Sequence, residues 1–244
     1  MNINDITLVI AVDKKHLEES SFTWPTWMKF KPELKSMKKI IIYDKTQLQQ
    51  SDLTRYNIGD VRFIPWHMDG VDQREKMLTS FIKIPANEVT TKWYLKLDVD
   101  TIATKEDKLI DDKWFIPRNG ELPVYISHRW GFSKPADVLF RLDNWGDTIN
   151  EIKSYKRLDI PFDPQSSRVL SRRIISWCFF GNTEWTKFIS NLCGDRLPVP
   201  SQDTLMYYCA TRLNKYNVVT NMKNLGWNHL RYRSLKILSK ELLK

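Results

Sequence analysis

Four short apolar runs in the first hundred residues constrain the fold of this 244-residue chain more than any other feature. Each run is rich in β-branched or aromatic residues, and the stretches between the runs are long enough for helical crossovers. Continuous apolar runs are typical of parallel strands that are buried on both faces and connected as βαβ units. The sequence therefore predicts an α/β fold, with its first strands at 6–12, 40–43, 61–66 and 92–100.

The second half of the chain is less regular, but it contains no clear linker and no internal repeat. We expect strands at 124–127 and 174–180, helices at 136–152, 184–192 and 203–213, and a basic loop at 153–173. The tail at 230–244 carries five basic residues and one acid around a stripe of leucines, which predicts an amphipathic helix. The chain is therefore expected to form a single domain over residues 1–244.

Composition excludes several classes of protein. The apolar content of 42% is too high for a disordered chain, and no stretch approaches 18 uncharged apolar residues, so we expect no transmembrane helix. The acidic Asp5 and the short apolar run after it argue against a secretory signal, so we expect a cytoplasmic protein. Its three cysteines are predicted to be reduced thiols, and no obligate protein partner is evident.

Aspartates stand at the ends of three of the four predicted N-terminal strands. They are Asp13, Asp44 and the Asp-Val-Asp pair of Asp98 and Asp100. The carboxyl ends of parallel strands line the crevice in which α/β proteins bind ligands. Alternation along a strand would place the last two carboxylates on one face, with the apolar Val99 turned into the core. Two such carboxylates form half of a coordination shell for a hard cation such as Mn²⁺ or Mg²⁺.

The order of these strands, acids and the DxD motif resembles the GT-A fold glycosyltransferases, the nucleotide-diphospho-sugar transferase superfamily. The resemblance is good over residues 5–101 and looser beyond them. It implies a Rossmann-like, mixed and mainly parallel sheet flanked by helices, with a nucleotide-binding half (1–101), an acceptor-binding half (102–229) and the C-terminal basic helix (230–244). It also implies a nucleotide-sugar donor, with UDP favoured, bound by Asp13, Asp44, Arg74 and Asp98.

The resemblance further implies a Mn²⁺ or Mg²⁺ cofactor, held by Asp98 and Asp100. Many members complete the metal shell with a histidine from a C-terminal segment, and His229 lies in the corresponding place. Members also place a carboxylate base at the start of a later helix, a position that Asp203 matches. An aspartate base would imply inversion at the anomeric carbon, although this fold hosts both stereochemical outcomes.

Three further residues are candidates for binding the acceptor. His128 lies beside a tryptophan in the segment SHRWG, and Trp177 begins a run of aromatic residues that could stack on a sugar ring. Glu184 is the spare acid of this region and the alternative to Asp203 as the base.

The leading interpretation is a metal-dependent hexosyl- or pentosyltransferase that acts on a hydroxyl acceptor. The net charge of +9 favours anionic partners, so the acceptor could be a modified base in DNA as well as a glycan. The alternative is a nucleic-acid-binding module without transferase activity, supported by the same charge and by ten tryptophans. Such a module would have no use for acids at three strand ends. Nucleotidyl transfer would need a glycine- and lysine-rich phosphate loop that is absent after Val12.

Overall fold

The computed structural model describes residues 1–67, 71, 73–128, 177–193, 206, 209, 210, 213, 215–230 and 232–244. Its strands are β1 (Ile6–Val12), β2 (Lys38–Asp44), β3 (Val61–Trp66), β4 (Trp93–Leu97), β5 (Thr101–Ala103), β6 (Tyr125–His128), β7 (Cys178–Asn182), β8 (Asn217–Thr220) and β9 (Trp227–His229). Its helices include α1 (Lys14–Phe30), α2 (Gln73–Leu78), α3 (Ile84–Glu88), α4 (Thr183–Cys193) and α5 (Tyr232–Leu242), and a π-helical turn (Thr79–Lys83) joins α2 to α3. Short 3₁₀-helices lie at Ile3–Asp5, Pro32–Lys35, Gln50–Tyr56 and Asp112–Phe115.

Seven strands form the central sheet, in the order β3-β2-β1-β4-β7-β6-β8. Strands β1 to β4 are parallel, β7 is antiparallel to both of its neighbours, and β8 is parallel to β6. The predicted α/β fold with a mixed, mainly parallel sheet flanked by helices is therefore confirmed. Because β1 lies between β2 and β4, their carboxyl ends meet at one edge of the sheet, where the predicted aspartates stand.

Alternation along β1 divides the hydrophobic core between the two faces of the sheet. Leu8 and Ile10 pack into a cluster with Trp27 of α1, whereas Val9, which lies between them in sequence, packs into a second cluster with Ile82 of the π-helical turn. Burial of both faces explains why the strand is a nearly continuous apolar run. Helices therefore cover the sheet on both sides.

The C-terminal segment forms the predicted helix and packs against α1. In α5, Leu235 is buried, and the ring of Tyr232 meets the ring of Phe22 edge to face at 5.8 Å. The Lys236 ammonium lies 6.0 Å from the centre of the same Phe22 ring. Among the described residues, no helix is both long and apolar enough to cross a membrane.

A second sheet of two strands, which the sequence did not predict, joins the C-terminal segment to the end of β4. Strands β5 and β9 are antiparallel, with Thr101 opposite His229, and the Leu230 amide donates to the Asp100 carbonyl at 3.2 Å. Gly226 leads into β9 with a φ of +83°, and its carbonyl accepts from the Thr104 amide at 2.8 Å. This sheet fixes His229 beside Asp100.

Gly226 is expected to tolerate no side chain. An added Cβ would lie 2.7 Å from Lys105 Cγ and 3.0 Å from its carbonyl oxygen, at a φ that disfavours any L residue. Gly120 is a matched control, because it has a φ of +80° but no atom within 4 Å of an added Cβ. We predict that Gly120→Ala lowers the free energy of unfolding by about 1 kcal/mol and Gly226→Ala by about 2–4 kcal/mol. If urea unfolding gave equal losses of the free energy of unfolding for the two variants, β5 and β9 would have to adjust freely around the extra methyl group.

Candidate functional site

A cleft of about 290 Å³ opens at the carboxyl ends of β1, β2 and β4. Its lining includes four of the residues predicted for donor and metal binding, which lie on three different strand ends: Asp13, Asp44, Asp98 and Asp100. Val99, between the last two, is 1% exposed, as expected from the apolar residue within the motif. The structure therefore brings together carboxylates that are separated by up to 87 positions in sequence.

The DxD carboxylates are presented by a turn and not by a strand. Strand β4 ends at Leu97, so the predicted strand end at residue 100 is wrong by three residues. The turn is closed by the Thr101 amide, which donates to the Asp98 carbonyl at 3.0 Å, and the Asp98 amide donates to the Trp177 carbonyl at 2.9 Å. The buried Val99 carbonyl accepts from Thr23 Oγ1 of α1 at 2.6 Å. These bonds fix the direction of both carboxylates without strand alternation.

Asp98, Asp100 and His229 form a candidate metal-binding group. Each offers one ligand atom, and these atoms lie within 4.8 Å of one another. His229 Nε2 lies 3.0 Å from Asp100 Oδ2. The two aspartates are partly buried and line the cleft, whereas the His229 side chain is 43% exposed. Two carboxylate oxygens and an imidazole nitrogen form a donor set that suits Mn²⁺, and Mg²⁺ less closely.

Asp100 and His229 perturb each other's protonation. The pKa of His229 lies above its ordinary 6.5, chiefly because Asp100 accepts a hydrogen bond from it, and burial acts in the opposite direction. Burial works to raise the pKa of Asp100, but the hydrogen bond and charge of His229 outweigh it and hold that pKa below 3.8. A cation and a proton therefore compete for the His229 imidazole.

His16 belongs to the cleft although nothing in the sequence analysis singled it out. Asp13 caps the N-terminus of α1, accepting from the His16 amide at 2.8 Å, and its Oδ1 also lies 2.8 Å from His16 Nδ1. Burial lowers the pKa of His16, but the hydrogen bond and charge of Asp13 outweigh it and raise that pKa above 6.5. The sequence does contain a pattern that could have indicated this contact, because a candidate helix-capping aspartate stands three residues before a histidine in the first turn of the helix.

Asp44 is almost completely buried at the end of β2, and its hydrogen bonds come from the loop that follows. Oδ1 accepts from the amide and the hydroxyl of Thr46 at 3.0 and 2.6 Å, and Oδ2 accepts from Gln47 Nε2 at 2.8 Å. Gln47 also lines the cleft, and its Oε1 accepts from the Lys14 amide at 3.3 Å. This hydrogen bond joins the loop after β2 to the start of α1.

Two of the three predicted acceptor residues lie beside the metal-binding group. The Trp177 ring stacks on His229, with centroids 5.9 Å apart and an interplanar angle of 18°, and it meets His128 at 5.1 Å. His128 Nδ1 accepts from the Met222 amide at 3.0 Å, and burial, aided by the charge of Lys223, lowers the pKa of His128 below 6.5. Trp177 thus supports a candidate metal ligand through its ring and the DxD turn through its carbonyl.

Of the remaining predicted site residues, one lies away from this cleft, and the side chains of the other two are outside the described part of the chain. Glu184 lies in the first turn of α4, where its carboxylate pairs with Lys187 at 2.8 Å and is 82% exposed, and it does not line the cleft. Asp203 lies outside the described residues, as do the predicted helix 136–152 and the basic loop 153–173. Arg74 lies in α2, and its side chain is outside the described part of the chain. The assignments of these three residues remain predictions.

Comparison with known proteins gives a likeness of fold alone. No protein-family model and no curated protein matches the chain. Among solved structures, it is similar to the galactosyltransferase LgtC in complex with donor and acceptor sugar analogs. The likeness covers 89% of this chain and 74% of that chain, with 10% identity and a TM-score of 0.48. A likeness of this size carries no conclusion about the activity of this chain.

The mutual perturbation of Asp100 and His229 predicts a selective change in histidine titration. Without the Asp100 charge the imidazolium loses its main stabilisation, so Asp100→Asn is expected to lower the pKa of His229 toward 6.5. Asp13→Asn is the matched control, which should instead lower the pKa of His16. Proton NMR titration of the four histidines measures both shifts. An unchanged pKa of His229 in Asp100→Asn would contradict the contact between His229 and Asp100.

The same pair gives the stability a defined dependence on pH in the absence of metal. The raised pKa of His229 contributes stability that is complete below pH 6.5 and is lost as the pH rises through that raised pKa. The lowered pKa of Asp100 contributes stability above 3.8 that is lost as the pH falls through that lowered pKa. Urea unfolding should show both dependences weakened in Asp100→Asn.

Proposed function

We propose that the chain is a metal-dependent glycosyltransferase that moves a sugar from a nucleotide-diphospho-sugar to a hydroxyl acceptor. The observation that carries the proposal is the convergence of Asp98, Asp100 and His229, whose ligand atoms lie within 4.8 Å of one another, with both aspartates lining a cleft at parallel strand ends. The DxD motif and the C-terminal histidine are the residues that the GT-A resemblance assigns to a metal. We favour UDP as the nucleotide and Mn²⁺ as the ion.

In this proposal, Asp98, Asp100 and His229 hold the ion, and Asp13 and Asp44 contact the nucleoside. A Mn²⁺ or Mg²⁺ ion bound there would act as a Lewis acid on the departing diphosphate. Asp44 is held by Thr46 and Gln47, so its carboxylate reaches the donor already oriented and needs little reorganisation when the donor binds. We assign Arg74 to the nucleotide as well, on the resemblance alone.

The acceptor is assigned to the region of Trp177 and His128, beside the metal-binding group. An aromatic ring beside the metal-binding group offers a face on which a sugar or a base can stack, and His128 adds a polar edge. Asp203 is the proposed base for the acceptor hydroxyl, with Glu184 as the alternative. The acceptor classes that fit are a glycan and, given the net charge of +9, a modified base in DNA.

Nucleotide binding is tested by thermal unfolding with UDP, GDP, TDP and CDP, each with and without Mn²⁺. A ligand at about a hundredfold excess over Kd raises the melting temperature of a chain this size by about 5–10 °C. We expect a metal-dependent rise with one nucleotide, UDP first, which Asp100→Asn abolishes. Asp112→Asn is the control, because Asp112 is exposed, pairs with the N-terminus and does not line the cleft. No rise with any nucleotide, together with a strong rise with DNA, would favour the nucleic-acid-binding module.

The role of Asp203 as the catalytic base is tested by measuring the rate of sugar transfer and nucleotide binding separately. We expect Asp203→Asn to lower the rate of sugar transfer by a factor on the order of 10²–10⁴ while the metal-dependent rise in melting temperature is retained. Glu184→Gln should retain most of the rate of sugar transfer, because the Glu184 carboxylate is exposed on α4 and bonded to Lys187. The opposite result, with Glu184→Gln inactive and Asp203→Asn active, would transfer the role of base to Glu184.

A further inference from the structure

Lys96 in β4 is a buried lysine whose ammonium points into the cleft. The residue is 1% exposed, yet it is among the residues that line the cleft. Its Nζ lies 2.7 Å from Asp98 Oδ1 and 4.1 Å from the centre of the Phe81 ring. Nζ also donates to the Leu97 carbonyl at 3.4 Å. A buried ammonium is unfavourable unless it is paired, so these contacts explain how the strand accommodates the charge.

The packing around Lys96 holds its ammonium in this place. Phe81 belongs to the π-helical turn between α2 and α3, and its ring stacks on Phe179 of β7 at 6.5 Å, with an interplanar angle of 15°. Ser80 of the same turn also lines the cleft. The Lys96 side chain therefore runs beneath an aromatic ring that neighbouring strands and helices keep fixed, and its charge emerges beside the first DxD carboxylate.

Two other lysines of the described residues are fully buried, and their ammonium groups donate to backbone carbonyls. Lys31 Nζ donates to the carbonyls of Asp107 and Leu225, and Lys39 Nζ donates to three backbone carbonyls at 2.8–3.0 Å. These lysines satisfy backbone acceptors and do not line the cleft. Among the three, Lys96 is the one paired with a carboxylate of the metal-binding group.

This pairing changes the charge that the cleft offers to a cation. Asp98 and Asp100 supply two negative charges, and the ammonium 2.7 Å from Asp98 offsets one of them. A divalent cation alone meets the repulsion of this ammonium at close range in a partly buried site, where screening is weak. An anionic diphosphate meets the opposite force, because the ammonium and the cation attract it together.

We propose that Lys96 couples cation binding to diphosphate binding: it weakens the hold of Asp98 and Asp100 on the cation alone and strengthens the hold of the cleft on the cation with a diphosphate. The inference rests on the proposed function, because it takes Asp98 and Asp100 as metal ligands and a diphosphate as part of the donor. Lys96 is accordingly a positioning residue for the donor, and the cleft binds the metal and the diphosphate as a pair.

The test compares Lys96→Met with the wild-type chain in two binding measurements. Methionine keeps an apolar stem beneath Phe81 and removes the charge together with the hydrogen bond to Asp98. Lys39→Met is the control for loss of a buried lysine that does not line the cleft. Binding of Mn²⁺ alone is followed by the electron paramagnetic resonance signal of the free ion. Binding of radiolabelled pyrophosphate, the probe for the diphosphate, is followed by equilibrium dialysis at fixed Mn²⁺.

We expect Lys96→Met to bind Mn²⁺ alone about tenfold more tightly and pyrophosphate about tenfold more weakly than the wild-type chain, because the same charge acts with opposite sign on the two ligands. Lys39→Met should match the wild-type chain in both measurements. If Lys96 had a merely structural role, Lys96→Met would bind both Mn²⁺ and pyrophosphate more weakly. That result, or no change in the binding of either ligand, would overturn the inference.

A second variant covers the case in which Lys96→Met does not fold. Lys96→Gln removes the same charge but keeps a donor for Asp98, and the same opposed changes are expected of it. If the wild-type chain binds Mn²⁺ neither alone nor with pyrophosphate, the proposed function itself fails. If it binds both and the neutral variants bind them as the wild-type chain does, only the role of Lys96 is refuted.

Discussion

The candidate site depends on a single turn at the end of β4. Val99 is buried at the centre of this turn, and its carbonyl bonds to α1 through Thr23, while the Asp98 amide bonds to the carbonyl of Trp177. Antiparallel pairing of β5 with β9 then brings His229 beside Asp100. Segments far apart in sequence are thereby fixed around two carboxylates, and a cation held there would need little rearrangement of the chain.

Acids at the strand ends are tolerated because each has its own partner. Four carboxylates at one sheet edge would repel one another, and burial adds to that cost. The structure offsets this with a lysine, two histidines and a pair of loop donors: Lys96 for Asp98, His229 for Asp100, His16 for Asp13, and Thr46 with Gln47 for Asp44. The cleft is thus organised before any ligand binds, and a cation would have to compete with partners that are already in place.

Much of this arrangement could be predicted from the sequence, because apolar runs identify buried parallel strands and such strands bring their carboxyl ends together. That reasoning placed Asp13, Asp44, Asp98 and Asp100 in one crevice, and the GT-A resemblance added His229. It could not identify Lys96 as part of the site, because a lysine within a strand is expected to be solvated unless a buried partner such as Asp98 is known. It also missed His16, whose relevance comes from the helix cap, and the β5–β9 pairing, since three-residue strands carry almost no periodic signal.

The most direct test of the metal-binding group is a crystal of the protein soaked with Mn²⁺ and UDP, with anomalous diffraction recorded near the manganese edge. We expect one strong anomalous peak within coordinating distance of Asp98, Asp100 and His229, with the diphosphate of the nucleotide beside it. A nucleotide bound in the cleft with no anomalous peak at these three residues, or with the peak elsewhere, would show that they do not form the metal site.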